Sequence, residues 1–474
     1  MRYPLLLAVP FLVGIAALQG LTVEIDTFHG SDARVYQLPT ILQLANQLDL
    51  SDYPSAQTPL YHLLTAWWGE LVGFELWRLR LLNVAFSYGM ALALLRLLRR
   101  ATPLSGFEAF ALTLVFVLSP YVYGASFTLL TDNLALLFAF VALERLHAYW
   151  RSGSPAAFGV ACLAISAALL TRQAFIWLVP VAGFFLAWRE LRPRRRDLGR
   201  AAAGAGALAV AVLPLGLLAL EWGGLVPPSA DPASCGLCDD RAGLAREALT
   251  LRTVGFTVAL VGGYGALLFG PSLWRRLRLL RTPAARSARA ALGSPTARAL
   301  VDSPVARALR ATGTGQAVES AARSAAREVT LPSPRALALA AGAGVALLLV
   351  SPLRYRPIEP GRAGDAGYLW KLSDPFPDLL GSSLLFWALV PLGCVALTVL
   401  IRRAGALSLP AVYLAAFLLA ALPVRLAYQK YFDPFALVAL ALLARPPDLR
   451  TRWDYAGAAL LATAFVAYVV SFAG

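Results

Sequence analysis

Apolar residues occur in long blocks rich in Leu, Ala and Val, with short polar stretches between them. A helix needs about 20 largely apolar residues to cross a bilayer. The pattern predicts spans near 4–21, 79–97, 107–123, 128–147, 156–171, 174–189, 200–220, 253–271, 336–352, 382–401, 405–423, 432–445 and 453–473. The blocks do not show the period-two alternation of a membrane barrel. The block 59–73, from Pro59 through Trp67 and Trp68, is too short to span. Its paired tryptophans favour the headgroup level, so it reads as an interfacial helix. Before it, Ser31 to Leu50 reads as an amphipathic helix, and Tyr53-Pro54 with Gln57-Thr58-Pro59-Leu60-Tyr61 as a turn. The expected fold is an all-α polytopic membrane protein of about thirteen transmembrane helices, whose first exoplasmic loop carries interfacial helices.

Composition narrows the class further. Of 474 residues, 58% are hydrophobic and 15% charged, against about 25% charged in soluble domains. A soluble enzyme, a disordered chain and a disulfide-stapled module are excluded. The net charge of +15 would suggest nucleic acid in a soluble protein. Here the arginines cluster in loops between apolar blocks, so the charge reads as membrane topology and no nucleic-acid partner is expected.

With the N-terminus in the cytoplasm, the cytoplasmic loops hold Arg99 and Arg100, the stretch 189–200, the long segment 275–335, Arg402 and Arg403, and the stretch 445–452. The outer loops hold Glu24, Asp26, Asp32, Asp49, Asp52, Asp231, Asp239, Asp240, Asp365, Asp374 and Asp433. Counting 59–73 as a span would reverse every later loop and break the positive-inside pattern. Residues 1–21 could be a signal peptide, but the loop that follows favours a retained anchor.

Three regions follow. Residues 1–274 form an N-terminal membrane module with a functional first loop at 22–77. Residues 275–335 are a basic Ala/Arg-rich cytoplasmic segment, read as a soluble tether or as basic helices on anionic lipid. Residues 336–474 supply the C-terminal membrane helices. Cys162 and Cys394 lie in apolar blocks, and Cys235 and Cys238 form a Cys-x-x-Cys in a polar loop. A zinc site takes about four ligands, and no second pair exists. A loop disulfide in an oxidising compartment is the favoured reading of Cys235 and Cys238.

The chemistry is expected at one membrane face. Glu24 and Asp26 follow the first span, with Phe28-His29 close behind. A carboxylate at the membrane boundary can act as general base on a hydroxyl. Topology also puts Asp132, of Thr131-Asp132-Asn133, and Arg172-Gln173 on that side. Arg425, Tyr428, Lys430 and Tyr431 crowd an outer turn, against the positive-inside trend. Arg offers phosphate a two-pronged fork and Lys a compact charge.

An acid before Phe28-His29, then Thr58-Pro59-Leu60-Tyr61, then Leu79-Arg80-Leu81-Leu82-Asn83 with Phe86-Ser87, then Thr131-Asp132, then Arg172-Gln173 with Ile176-Trp177, run in this order over residues 22–190. The series resembles the dolichyl-phosphate-glucose α-1,2-glucosyltransferases and, more broadly, the GT-C glycosyltransferases. That family has two adjacent acids before its Phe-His, where Asp26 here stands alone. The resemblance implies a GT-C-like bundle and an enzyme moving a sugar, with inversion, from a polyprenyl phosphate to an acceptor hydroxyl on a glycan, lipid or protein.

Under that resemblance Asp26 is the base. Glu24, His29, Tyr61, Asp132, Arg172, Gln173, Arg425, Tyr428 and Lys430 bind donor or acceptor. Neither metal nor cofactor is expected, and the setting is a prokaryotic plasma membrane with the site on its outer face. The alternative is a transporter or flippase for a lipid-linked or anionic solute, which should carry polar or broken helices near the bilayer midplane.

Overall fold

A computed structural model describes residues 2–19, 21, 32–192, 196–229, 250–280, 332–357, 366–405, 407–424, 427–445 and 452–473. Glu24, Asp26, His29, Arg425, Cys235, Cys238 and most of the 275–335 segment lie outside the described residues. The protein is an all-α polytopic membrane protein. Every expected span falls on a helix or a bent helix pair.

The helices are α1 (Arg2–Ala17), α2 (Leu38–Asn46), α3 (Leu60–Val72), α4 (Leu76–Ala101), α5 (Gly106–Leu118), α6 (Pro120–Ser126), α7 (Asp132–Ser152), α8 (Pro155–Thr171), α9 (Leu178–Glu190), α10 (Leu198–Trp222), α11 (Arg252–Leu280), α12 (Pro334–Val350), α13 (Tyr368–Ser373), α14 (Leu384–Ala404), α15 (Leu409–Ala421), α16 (Gln429–Leu443) and α17 (Arg452–Ala473). A two-residue hairpin, Asp378–Leu379 against Ser382–Ser383, precedes α14. Leu380 and Gly381 both have positive φ, as a two-residue turn favours.

Among the described residues, α4, α10, α14 and the Arg252–Ser272 part of α11 are long and apolar enough to cross a membrane, and α5 with α6 makes a bent fifth. Others are shorter or carry charge. α7 has Asp132, Glu144, Arg145 and Arg151 along its length. Large apolar side chains such as Leu163, Leu217 and Leu220 point outward, 72%, 57% and 80% exposed. An outward apolar surface suits lipid as its solvent.

The 107–123 stretch is not one straight span. α5 begins on a capping box between Ser105 and Glu108 and stops at Leu118, where the chain turns by 74° into α6. Ser119 precedes Pro120 and is forced into extended backbone, so the helix breaks and restarts with Pro120 at its first position. Two buried asparagines hold the bend. Asn83 donates its amide to the carbonyls of Ala125 and Thr128. Asn133 donates to Ser87 Oγ at 2.8 Å, the Val122 carbonyl at 3.0 Å and Ser126 Oγ at 3.1 Å.

The first loop folds over this end of the bundle, as expected. A π-helical turn at Ala33–Gln37 leads into α2, and α3 follows as a short helix outside the span set. Tyr53, Tyr61, Ile41, Leu44 and Leu79 make a small core of its own, closed by Trp222 of α10, which stacks on Tyr53. Buried His62 sits at the centre. Its Nδ1 accepts the Tyr53 hydroxyl at 2.5 Å. Its Nε2 donates to Gln37 Oε1 at 2.7 Å, which fixes the neutral tautomer.

The C-terminal half packs backbone to backbone. A Cβ on Gly262 of α11 would collide with the Leu389 carbonyl of α14, and one on Gly393 of α14 with the Val258 carbonyl of α11. Gly344 of α12 lies as close to Pro391, and Gly457 of α17 to the Leu267 carbonyl. Such small-residue contacts let helices approach where apolar surface alone gives no drive to associate.

Candidate active site

Four stretches far apart in sequence meet at the first-loop end of the bundle. α7 begins at Asp132 because Thr131 turns the chain there, and Thr131 Oγ1 donates to Gln57 of the first loop. α8 ends at Arg172, whose extended backbone starts a 3₁₀ turn over Gln173–Trp177. Arg172 Nη1 pairs with Asp132 Oδ1. Its guanidinium also lies 4.5 Å from the centre of the Tyr431 ring. Burial opposes the Arg172 charge, but Asp132 and Tyr431 beside it outweigh that and move its pKa upward.

Lys430, in the first turn of α16, makes the second ion pair. Its Nζ lies 3.0 Å from Oδ2 of Asp32, at the start of the first-loop turn. Both side chains are mostly buried, at 13% and 21% exposed. Asp132 and Lys430 line one cleft with Tyr121, Asn133 and Pro434. Its cavity volume is about 10 Å³, room for about one water and far below the roughly 300–1,000 Å³ of ordinary small-molecule sites. A sugar carrying a lipid phosphate needs more room, and the Asp32 bridge is one of the contacts that tie the first loop to the bundle beside the cleft.

The other expected site residues are placed as follows. Gln173 donates Nε2 to the Ala56 carbonyl at 2.6 Å and to the Leu225 carbonyl at 3.3 Å, which ties the first loop to the end of α10. Tyr61 is buried in the first-loop core. Tyr428 is the N-cap of α16, its ring 6.0 Å from that of Tyr431. Asp132, Arg172 and Lys430 therefore converge, while Tyr61 and Gln173 have supporting positions.

Asp433 corrects the expectation drawn from sequence. It is not a loop acid but a fully buried residue inside α16. From sequence, Asp433 falls among the outer-loop acids, at the very start of the span expected near 432–445. In the fold Pro434 sits one turn inside α16, and the helix begins earlier, at Gln429. Asp32 was counted only among outer-loop acids. Its signal was its place at the start of the amphipathic stretch, six residues beyond Asp26.

The opposite ends of α4 and α7 carry a separate charged cluster. Glu144 gathers Arg96, Arg100 and Arg145. Tyr149 donates to Glu190 at 2.7 Å. Arg100 is one of the arginines from which the loop charges put this end on the basic side.

No family model matches the chain, and no curated protein matches it. Among solved structures it is similar to a crystal structure of ArnT from Cupriavidus metallidurans in the apo state. The two share 16% identity, covering 92% of this chain and 78% of that one, with a TM-score of 0.35. A likeness this distant carries no weight for function.

Proposed function

We propose that the protein is an integral membrane glycosyltransferase of the GT-C type, working at the outer face of a prokaryotic plasma membrane. The donor is a sugar on a polyprenyl phosphate, and the acceptor is a hydroxyl on a glycan, lipid or protein. The observation that carries the reading is that Asp132 and Lys430 line one cleft at the first-loop end of the bundle, with Arg172 paired to Asp132 and Asp32 to Lys430. Two cations held by carboxylates, at a membrane boundary, suit an anionic headgroup whose charge grows as its sugar leaves.

Asp26 belongs to the stretch that leads into Asp32. In this mechanism it takes the proton of the acceptor hydroxyl. The acceptor oxygen attacks the anomeric carbon from the face opposite the phosphate, so the centre inverts. The bond from that carbon to the phosphate oxygen breaks, and polyprenyl phosphate departs with the electron pair. Arg172 and Lys430 balance its charge. Glu24, His29, Arg425 and Tyr428 are candidates for donor and acceptor contacts.

The test is transfer from radiolabelled polyprenyl-phosphate sugars by the purified chain, with Asp26→Asn alongside. Transfer by wild type and a loss of at least 100-fold in folded Asp26→Asn support the reading. Near-wild-type transfer by the variant removes the base.

The break between α5 and α6 and the buried Asp433 favour a second reading, a transporter or flippase for an anionic or lipid-linked solute. Flux into liposomes without sugar transfer would select it.

A further inference from the structure

The Asp433 carboxylate is held by donors from four elements. Tyr264 of α11 and Tyr368 of α13 donate their hydroxyls to Oδ1, the latter at 2.9 Å. Gln429 Nε2 donates to the same oxygen at 3.1 Å. Ser119, at the break between α5 and α6, donates to Oδ2. The Gln429 amide orientation is fixed independently, because its Oε1 accepts the Leu369 N–H at 2.8 Å. An oxygen taking three donors suits a carboxylate, which is acceptor only when ionised.

Ionisable groups inside a helical membrane bundle are costly and need a use. Here the carboxylate joins the parts that build the cleft. Ser119 leads directly into α6, whose Tyr121, Val122 and Ala125 form one wall. Asp433 lies one turn beyond Lys430 on α16, and its neighbour Pro434 lines the same cleft. Tyr368 donates to Asp433 while its ring stacks on Tyr121, with centroids 5.7 Å apart.

We propose that Asp433 is a positioning residue for anion binding: it fixes the first turn of α16 against the α5–α6 break, so that the Lys430 ammonium faces the cleft. The inference rests on the reading of Lys430 as a ligand for the donor phosphate. Asp433 itself touches no substrate and acts through Lys430.

The experiment measures binding of undecaprenyl phosphate to the full-length protein in phosphatidylcholine nanodiscs. The proteins compared are wild type, Lys430→Gln, Asp433→Asn and the double variant, each with its melting temperature. The expected result is that Lys430→Gln and Asp433→Asn each weaken binding by at least fivefold, while the double variant binds no more weakly than Lys430→Gln alone. Such non-additivity is the mark of two residues acting through one contact, and a merely structural role would not produce it.

Wild-type affinity in Asp433→Asn with weakened Lys430→Gln overturns the inference and leaves the reading of Lys430 standing. Multiplying losses in the double variant also overturn it, because Asp433 would then act by another route. Wild-type affinity in Lys430→Gln overturns the phosphate reading and the inference together. Should Asp433→Asn not fold, Tyr264→Phe removes one donor from the same oxygen and is put through the same cycle with Lys430→Gln, with the same outcomes deciding.

Discussion

Lys430 and Asp32 lie 398 positions apart in the chain, and their side chains meet at 3.0 Å. The bridge joins the last third of the protein to the first loop at the mouth of the cleft. An anion entering the cleft competes with Asp32 for the lysine. Asp32→Asn is therefore expected to tighten undecaprenyl phosphate binding by about threefold to tenfold, or roughly 0.7–1.4 kcal/mol, whereas Lys430→Gln weakens it. Calorimetry in nanodiscs reads both signs, and equal affinity in wild type and Asp32→Asn would show that the carboxylate does not compete.

Arg172 and Asp132 depend on each other. Removing the guanidinium leaves a partly buried carboxylate without its partner, and removing both relieves that. Arg172→Gln should melt several degrees below wild type, and Arg172→Gln/Asp132→Asn should recover part of the loss. Sugar transfer should fall by about 10²-fold or more in both, as for the loss of one stabilising donor group. Differential scanning fluorimetry beside the transfer assay separates the structural effect from the chemical one.

His62 makes the first loop sensitive to acid. Burial pushes its pKa from 6.5 down to about 3. Between those values the unfolded loop binds a proton that the folded loop refuses, so stability is full above pH 6.5 and falls as the pH drops toward 3. The slope is at most about 1.4 kcal/mol per pH unit. Protease cutting of the first loop should rise between pH 7 and pH 5. In His62→Gln, which cannot charge, the cutting rate should be less dependent on pH, from a higher baseline.

Gly367 permits the docking of α13. Its φ is +140°, and a Cβ there would run into the Gln429 side chain and lie 3.0 Å from the Tyr121 hydroxyl. The Gln429 N–H donates to the Ala366 carbonyl at 2.8 Å, just beside it. Gly367→Ala should destabilise this corner by about 1–3 kcal/mol. Hydrogen exchange at Leu369, whose N–H is held by Gln429, should speed up while exchange in α4 stays unchanged.

The helices were legible because a lipid-facing segment has to be apolar for most of its length. That constraint placed α4, α10 and α14 near their observed bounds. It also kept α3 out of the span set, since Trp67 and Trp68 sit on a helix of only 13 residues. The pairing of Asp132 with Arg172 was half visible. Topology put both on one face, but only the fold brings the ends of α7 and α8 into contact. The bend at Ser119 was hidden, because the apolar pattern continues through Pro120. Asp433 was misread for a related reason: one acid in an apolar run looks the same at a loop edge as inside a helix. Its four donors come from positions between 119 and 429, and no local pattern links them.

The glycine contacts between α11 and α14 divide the molecule mechanically. With Gly262 seated on one backbone and Gly393 on the other, these helices have no side-chain cushion to slide on and travel as a single plank. Widening the cleft then falls to the N-terminal side, where the ammonium-to-carboxylate clasp is one of several ties on the loop, beside those of Gln57 to Thr131 and Gln173 to Ala56. Under the proposed function, admitting a donor means parting this whole set of ties while the frame behind them stays put.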